Sequence, residues 1–220
     1  MPPTAVVFDI GGVLVDWDPR YLFRDVISDD ATREWFLREV CPPEWNLEQD
    51  RGRPWADAVT EATGRHPDHA GWIRAYDERW LETIGGVDEA VADLVRDLRR
   101  TGMPTYALTN YSAEKWALSR ERLDILRAFD GVVVSGEERV VKPDERIYRI
   151  LIERYDLDPA ATYFTDDVTA NVEAARSVGI DAERFIDAAT TRTQLAARGL
   201  LEFGPVDNAQ RSDPAGTTTV

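Results

Sequence analysis

Asp9, Thr109, Asn110, Lys142, Asp166 and Asp167 are the residues whose types and positions could do chemistry together. Asp9 ends the apolar run Ala5-Val6-Val7-Phe8 and is followed, after Ile10, by Gly11 and Gly12, where backbone can closely approach a ligand or an ion. Asp166-Asp167 follows Tyr163-Phe164-Thr165, and Thr109-Asn110 follows the run from Pro104 to Leu108. Three carboxylates brought together repel one another unless a hard cation lies between them, and Mg²⁺ with oxygen ligands suits such a set. Lys142 is one of two lysines against 24 arginines. A lysine is a compact point charge that can bridge a carboxylate and a phosphoryl oxygen. The plainer alternatives are an Asp9 that caps a turn and an ordinary surface lysine at 142.

Other nucleophile chemistries find little support. Both histidines fall in His66-Pro67-Asp68-His69, a polar turn, and no G-x-S-x-G occurs, which argues against a Ser-His-Asp mechanism. Cys41 is the sole cysteine, so an internal disulfide is excluded; with Pro42-Pro43 beside it, it reads as a packed thiol rather than a nucleophile. A formal charge of -15 disfavours nonspecific binding to nucleic acid or anionic lipid, while a local positive site can still hold phosphate. No apolar run is long enough to span a bilayer, and MPPTAVVFD carries no basic start, so the cytoplasm is the expected location. No nucleic acid and no membrane are expected as partners, and the oligomeric state is unassigned.

The elements that must position these residues alternate. Short apolar strands are expected at Ala5–Phe8, Pro104–Leu108, Gly131–Val134, Tyr163–Thr165 and about Ala182–Ile186. Helices are expected at Val87–Arg100, from Ala113 with Ser112 as its cap, at Glu145–Tyr155, at Val168–Val178 and on to Gly199. This is the pattern of a doubly wound, Rossmann-like parallel sheet, in which the strand ends and the residues above converge along one edge. From Pro19 to Ile84 strand signals vanish and helical spacing takes over, as in Trp72, Tyr76, Trp80 and Ile84. The expected organisation is an α/β core over residues 1–18 and 85–203, a helical cap over 19–84 inserted after the first strand, and a disordered polar tail over 204–220. Six of the seven tryptophans lie in or beside the insert and are expected to pack helix against helix. Cys41 to Arg53 reads as a Pro- and Gly-punctuated loop that either reaches over Asp9 to choose a substrate or runs over the surface.

The chain resembles the haloacid dehalogenase-like hydrolase superfamily from about Val6 to Gly179. FDIGGVL looks like its nucleophile motif, LTN its phosphate motif, VKPD its lysine motif and FTDDVTANVEAARSVGI its metal motif, and D-R-G at Asp50–Gly52 resembles a cap segment of bacterial glucose-1-phosphatase-type members. The resemblance implies that Asp9 is a nucleophile forming an aspartyl-phosphate. It implies Mg²⁺ held by Asp9, the Gly11 carbonyl and Asp167, with Asp166 and Asn171 supporting. Thr109, Asn110 and Lys142 would bind the phosphoryl group, and Lys142 would also neutralise Asp9. One departure stands out: such phosphatases carry an acid two residues after the nucleophile, where this chain has Gly11. General acid-base help is worth ~10² to 10⁴ in rate. The expected substrate therefore has an acidic leaving oxygen, such as an anomeric sugar phosphate, unless Asp16 or Asp18 supplies the proton. Two other readings stay open, a metal-free 2-haloacid dehalogenase with Arg20, Arg24 or Arg51 as carboxylate clamp, and a binding module without catalysis.

Overall fold

A computed structural model describes residues 2–202; the tail expected over 204–220 lies outside them. Four short apolar runs become the strands β1 (Ala5–Phe8), β4 (Thr105–Thr109), β5 (Gly131–Val134) and β6 (Thr162–Asp166), and the more polar edge segment Asp181–Arg184 becomes β7, slightly earlier than the expected Ala182–Ile186. They form one parallel sheet in the order β5-β4-β1-β6-β7. Alternate side chains of each strand enter opposite layers, which is why the runs are continuously apolar rather than alternating. Val6, Phe8, Ala107, Val134 and Tyr163 join one buried cluster, and Val7, Leu108, Val133 and Phe164 the other.

The crossovers place α6 (Glu89–Arg100) and α11 (Ala188–Ala197) on the first face, and α9 (Glu145–Arg154) and α10 (Thr169–Ser177) on the second. The chain runs from β1 outward to β4 and β5, then returns across β1 to β6 and β7. The strand order therefore reverses beside β1, and ligands of open α/β sheets bind at the carboxyl ends of such a reversal. Asp9 leaves β1 there, and Asp166 and Asp167 leave β6 on the adjoining strand.

Between β1 and α6 the chain makes an antiparallel pair, β2 (Val15–Trp17) with β3 (Ile84–Val87). The sequence predicts no strand in the insert, because three and four residues with two glycines give no period to read; only the pairing of two distant segments creates them. Gly85 is needed there: a Cβ on it would lie 2.5 Å from the Asp16 carboxylate and 2.6 Å from the Tyr21 ring.

The helices enclosed by this pair are α1 (Arg20–Val26), α2 (Asp30–Trp35) continued by a π turn over Phe36–Val40, α3 (Pro43–Asp50), α4 (Trp55–Arg65) and α5 (Ala70–Glu78). Two expectations are corrected. Cys41–Arg53 is not a loop: Pro43 sits at the first helical position, where its missing N–H costs nothing, and α3 follows. The helical spacing read across Trp72, Tyr76, Trp80 and Ile84 is likewise not one helix: a 3-10 turn over Pro67–His69, α5, a second 3-10 turn over Trp80–Thr83 and β3 follow one another. The aromatic residues pack as expected, Trp45, Trp55, Tyr76 and Trp80 lying with ring centroids 5.2 to 5.8 Å apart. They share one buried cluster with the first sheet face, so insert and core have a continuous interior.

Candidate active site

The centre of the site is a buried ammonium between two carboxylates. Lys142 Nζ lies 2.7 Å from Asp9 Oδ1 and 2.6 Å from Asp166 Oδ2, and donates to the Leu108 carbonyl at 3.0 Å. Burial works against the lysine's charge, but the carboxylates of Asp9 and Asp166 outweigh it and hold its pKa above the usual value. Burial pushes the Asp9 carboxyl up to about 8, opposed by Lys142 and reinforced by Asp166. Asp9 Oδ1 also accepts from the Ile10 backbone N–H at 2.7 Å, so one oxygen is fixed and the carboxylate is oriented.

Asp166 is fully buried and saturated with donors. Beyond Lys142 it takes the Val168 N–H at 2.8 Å and Asn171 Nδ2 at 3.0 and 3.1 Å, and Asn171 is anchored in turn by the Tyr148 hydroxyl on its carbonyl at 2.8 Å. Asp167 faces the loop after β1. A Cβ on Gly12, whose φ is +74°, would lie 2.6 Å from Asp167 Oδ2, so glycine at 12 is what lets that carboxylate approach. Burial, with Asp166 beside it, raises the Asp167 pKa. Asp9, Asp166 and Asp167 each offer an oxygen within 4.8 Å of the other two. Three carboxylates against one ammonium leave negative charge uncompensated, and an all-oxygen set of this kind fits Mg²⁺.

Thr109 and Asn110 close the β4 side. Thr109 Oγ1 is buried with no hydrogen-bond partner among the described residues. A buried hydroxyl without a partner is costly, and a ligand oxygen would satisfy it. The Asn110 side chain is occupied differently: Oδ1 accepts from the Lys142 N–H at 2.8 Å and Nδ2 donates to the Lys142 carbonyl at 3.0 Å. It clips the lysine's backbone and so aims Nζ. Ser112 caps α7 (Ala113–Arg122), accepting from Lys115 N, as expected from the sequence.

Above this edge lies a small cavity of about 70 Å³ whose walls include Gly11 and Asn110 of the core and Trp17, Asn46, Asp50 and Trp80 of the insert. A neighbouring cavity of about 320 Å³ shares Trp17 and Asn46 and extends past Asp18, Arg20, Leu37, Cys41 and Tyr76. Burial pushes the Cys41 thiol up to about 12, as suits a packed residue rather than a nucleophile. The sequence offers Cys41–Arg53 as a segment that could reach over Asp9, but only its folding as a helix puts Asn46 and Asp50, four apart, on one face. Burial pushes the Asp50 carboxyl up to about 7, opposed only by the Ser112 backbone N–H.

Comparison with known proteins agrees with this geometry. Residues 3–179 match the haloacid dehalogenase-like hydrolase family. The sesquiterpene phosphatase astK of Aspergillus oryzae is 30% identical over 200 residues, covering 87% of this chain and 94% of that one. A phosphorylated carbohydrates phosphatase of Thermotoga maritima is 30% identical over 188 residues, covering 80% and 82%. The magnesium complex of a HAD family enzyme from Bacteroides thetaiotaomicron superposes with a TM-score of 0.67 at 20% identity, covering 84% and 94%. A parallel sheet with a carboxylate, a lysine and an acidic pair at its switch point defines a class of hydrolase, and this chain belongs to the haloacid dehalogenase-like hydrolases. Among the described residues no helix is long and apolar enough to cross a membrane.

Proposed function

We propose that the chain is a Mg²⁺-dependent hydrolase of small phosphomonoesters, sugar phosphates in particular, working through an aspartyl-phosphate. The observation that carries this reading is the Asp9–Lys142–Asp166 chain with the unpartnered Thr109 hydroxyl beside it. Two relatives at 30% identity are phosphatases, one of them acting on phosphorylated carbohydrates. Asp9 Oδ2, the oxygen not held by Ile10 and Lys142, would attack phosphorus, with Lys142 and a bound cation together offsetting the burial that favours its neutral form. Thr109 Oγ1 would donate to a phosphoryl oxygen, and Asn110 would hold Lys142 in register. Asp9, the Gly11 carbonyl and Asp167 would hold Mg²⁺, with Asp166 and Asn171 in support; when bound, it supplies neutralisation of charge on the transferring phosphoryl group.

The dehalogenase alternative needs an arginine free to clamp a substrate carboxylate. Arg20 is committed to Glu34 and Asp18, Arg51 to Glu48, and Arg24 lies exposed over the Tyr21 ring. The deciding experiment measures phosphate release from an aryl phosphate with and without Mg²⁺, beside halide release from 2-chloropropionate, in wild type and Asp9→Asn. Metal-dependent phosphate release lost in Asp9→Asn is expected. Metal-independent halide release would overturn the reading, and ligand binding without turnover would favour a non-catalytic module.

A further inference from the structure

Position 11 is glycine, so the proton needed by a leaving alcohol must come from elsewhere. The two carboxylates nearest in sequence are already engaged. Asp16 is exposed and accepts from the Tyr21 hydroxyl at 2.6 Å; Asp18 accepts from the Arg20 backbone N–H at 2.8 Å and pairs with its guanidinium. Asp50 is the carboxyl that shares a cavity with Gly11 and Asn110. It is 9% exposed, and no arginine, lysine or histidine pairs with it among the described residues. The groups facing it are Asn46 one turn back on α3, whose Nδ2 lies 3.4 Å from Asp50 Oδ2, the Ser112 backbone N–H at the start of α7, and the phenols of Tyr76 and Tyr111.

Its place is rigid. Ser135 Oγ, at the end of β5, donates to the Asp50 carbonyl at 2.7 Å and accepts from the Tyr111 N–H at 2.9 Å, which ties the last turn of α3 to the core. The insert is latched again by the Trp55 indole on Ser112 Oγ at 2.9 Å and by Lys115 on the Asp77 carbonyl at 2.8 Å. Trp17 and Asn46 line the same cavity, and Trp17 Nε1 and Asn46 Oδ1 are buried without partners among the described residues.

We propose that Asp50, carried by the cap helix α3, is the proton donor to the leaving alcohol and the proton acceptor from the attacking water, in place of the acid absent at Gly11. The proposal rests on the phosphomonoester reading. In the first step the Asp9 oxygen bonds to phosphorus, the ester P–O bond breaks, and the Asp50 proton passes to the leaving oxygen. In the second, water attacks phosphorus, the P–O bond to Asp9 breaks, and Asp50 takes the proton from water, restoring both residues. A carboxyl with its pKa near 7 suits both directions at neutral pH.

The test is kinetic and uses the full chain with Mg²⁺, an aryl phosphate whose leaving group needs no proton, and an alkyl phosphate whose leaving group does. Asp50→Asn should lose ~10² to 10⁴ in kcat/KM on the alkyl ester and no more than about ten-fold on the aryl ester. The basic limb of the alkyl-ester pH profile should disappear with it. An ideal Cβ on Gly11 has nothing within 4 Å, so Gly11→Asp can be accommodated and should restore alkyl-ester turnover in the Asp50→Asn background. Equal losses on both esters, with no recovery by Gly11→Asp, would assign Asp50 to binding or folding and overturn the proposal. A wild type inactive on both esters would instead overturn the phosphatase reading beneath it.

Discussion

The edge of the sheet and the wall of the cap meet at the same cavity and are built on opposite rules. At the edge Asp9 and Asp166 are answered from within: Lys142 bridges them, Asn171 and Val168 complete Asp166, and Asn110 clips Lys142, while the Thr109 hydroxyl and Asp167 stay open to a ligand. On the wall, Trp17 Nε1 and Asn46 Oδ1 have no partner and Asp50 has no cation among the described residues. A saturated buried network holds its geometry without ligand, as a site for one invariant chemical group requires. Unanswered polar groups cost stability and are tolerated where a ligand answers them. On the proposed phosphatase reading, the edge would take the phosphoryl group and the wall whatever the phosphate is attached to.

The largest effect should follow from breaking the edge at Asp9, the proposed nucleophile. Asp9→Asn is expected to lower phosphate release by about 10⁴-fold or more, read with an aryl phosphate, while circular dichroism is unchanged. Removing the bridging cation should cost both stability and rate. Lys142→Met leaves Asp9 and Asp166 facing each other in the interior and should destabilise the fold by about 3–5 kcal/mol, visible as a fall in the urea midpoint. Mg²⁺ should act through the same carboxylates: saturating magnesium is expected to raise stability over an EDTA control by roughly 2–3 kcal/mol at about 100 times its Kd. Asp167→Ala should remove that increment, and an unaltered one would place the ion elsewhere.

Smaller effects sharpen the contrast. Asp144 caps α9 just beyond Lys142-Pro143, accepting from the Arg146 N–H at 2.9 Å, and the Arg146 guanidinium beside it holds its carboxyl down to about 2. Because its pKa is depressed on folding, its contribution is full above the unfolded value near pH 4 and is lost as pH falls through about 2. Asp144→Ala should cost about 1 kcal/mol at neutral pH and progressively less in acid, read from thermal melts across that range. The smallest change in stability is expected on the wall. Asn46→Leu removes an unanswered Oδ1 together with the long Nδ2 contact to Asp50, and should alter stability by less than about 1 kcal/mol while raising KM for hydroxylated substrates. A large destabilisation would mean that the wall, like the edge, is satisfied from within.

Chain order was enough to reveal the edge. Asp9, Thr109 and Asp166 stand at or just past an apolar run and Lys142 in the connection after β5, and parallel crossovers bring such ends together, so type and place were legible together. Local signals also carried Ser112 as a cap and Cys41 as packed. The roles within the edge were less legible: that Asn110 spends its amide on Lys142 depends on a hydrogen bond across 32 residues. The wall was legible least. Trp17 and Trp80 meet at the cavity because β2 pairs with β3 across the whole insert, and Asp50 faces it because α3 forms where the prolines suggested a loop and Ser135, 85 residues away, fixes its last turn. Short-range periodicity encodes helices, strands and their ends; it does not encode which distant segments dock, and docking is what decides which side chains face a substrate.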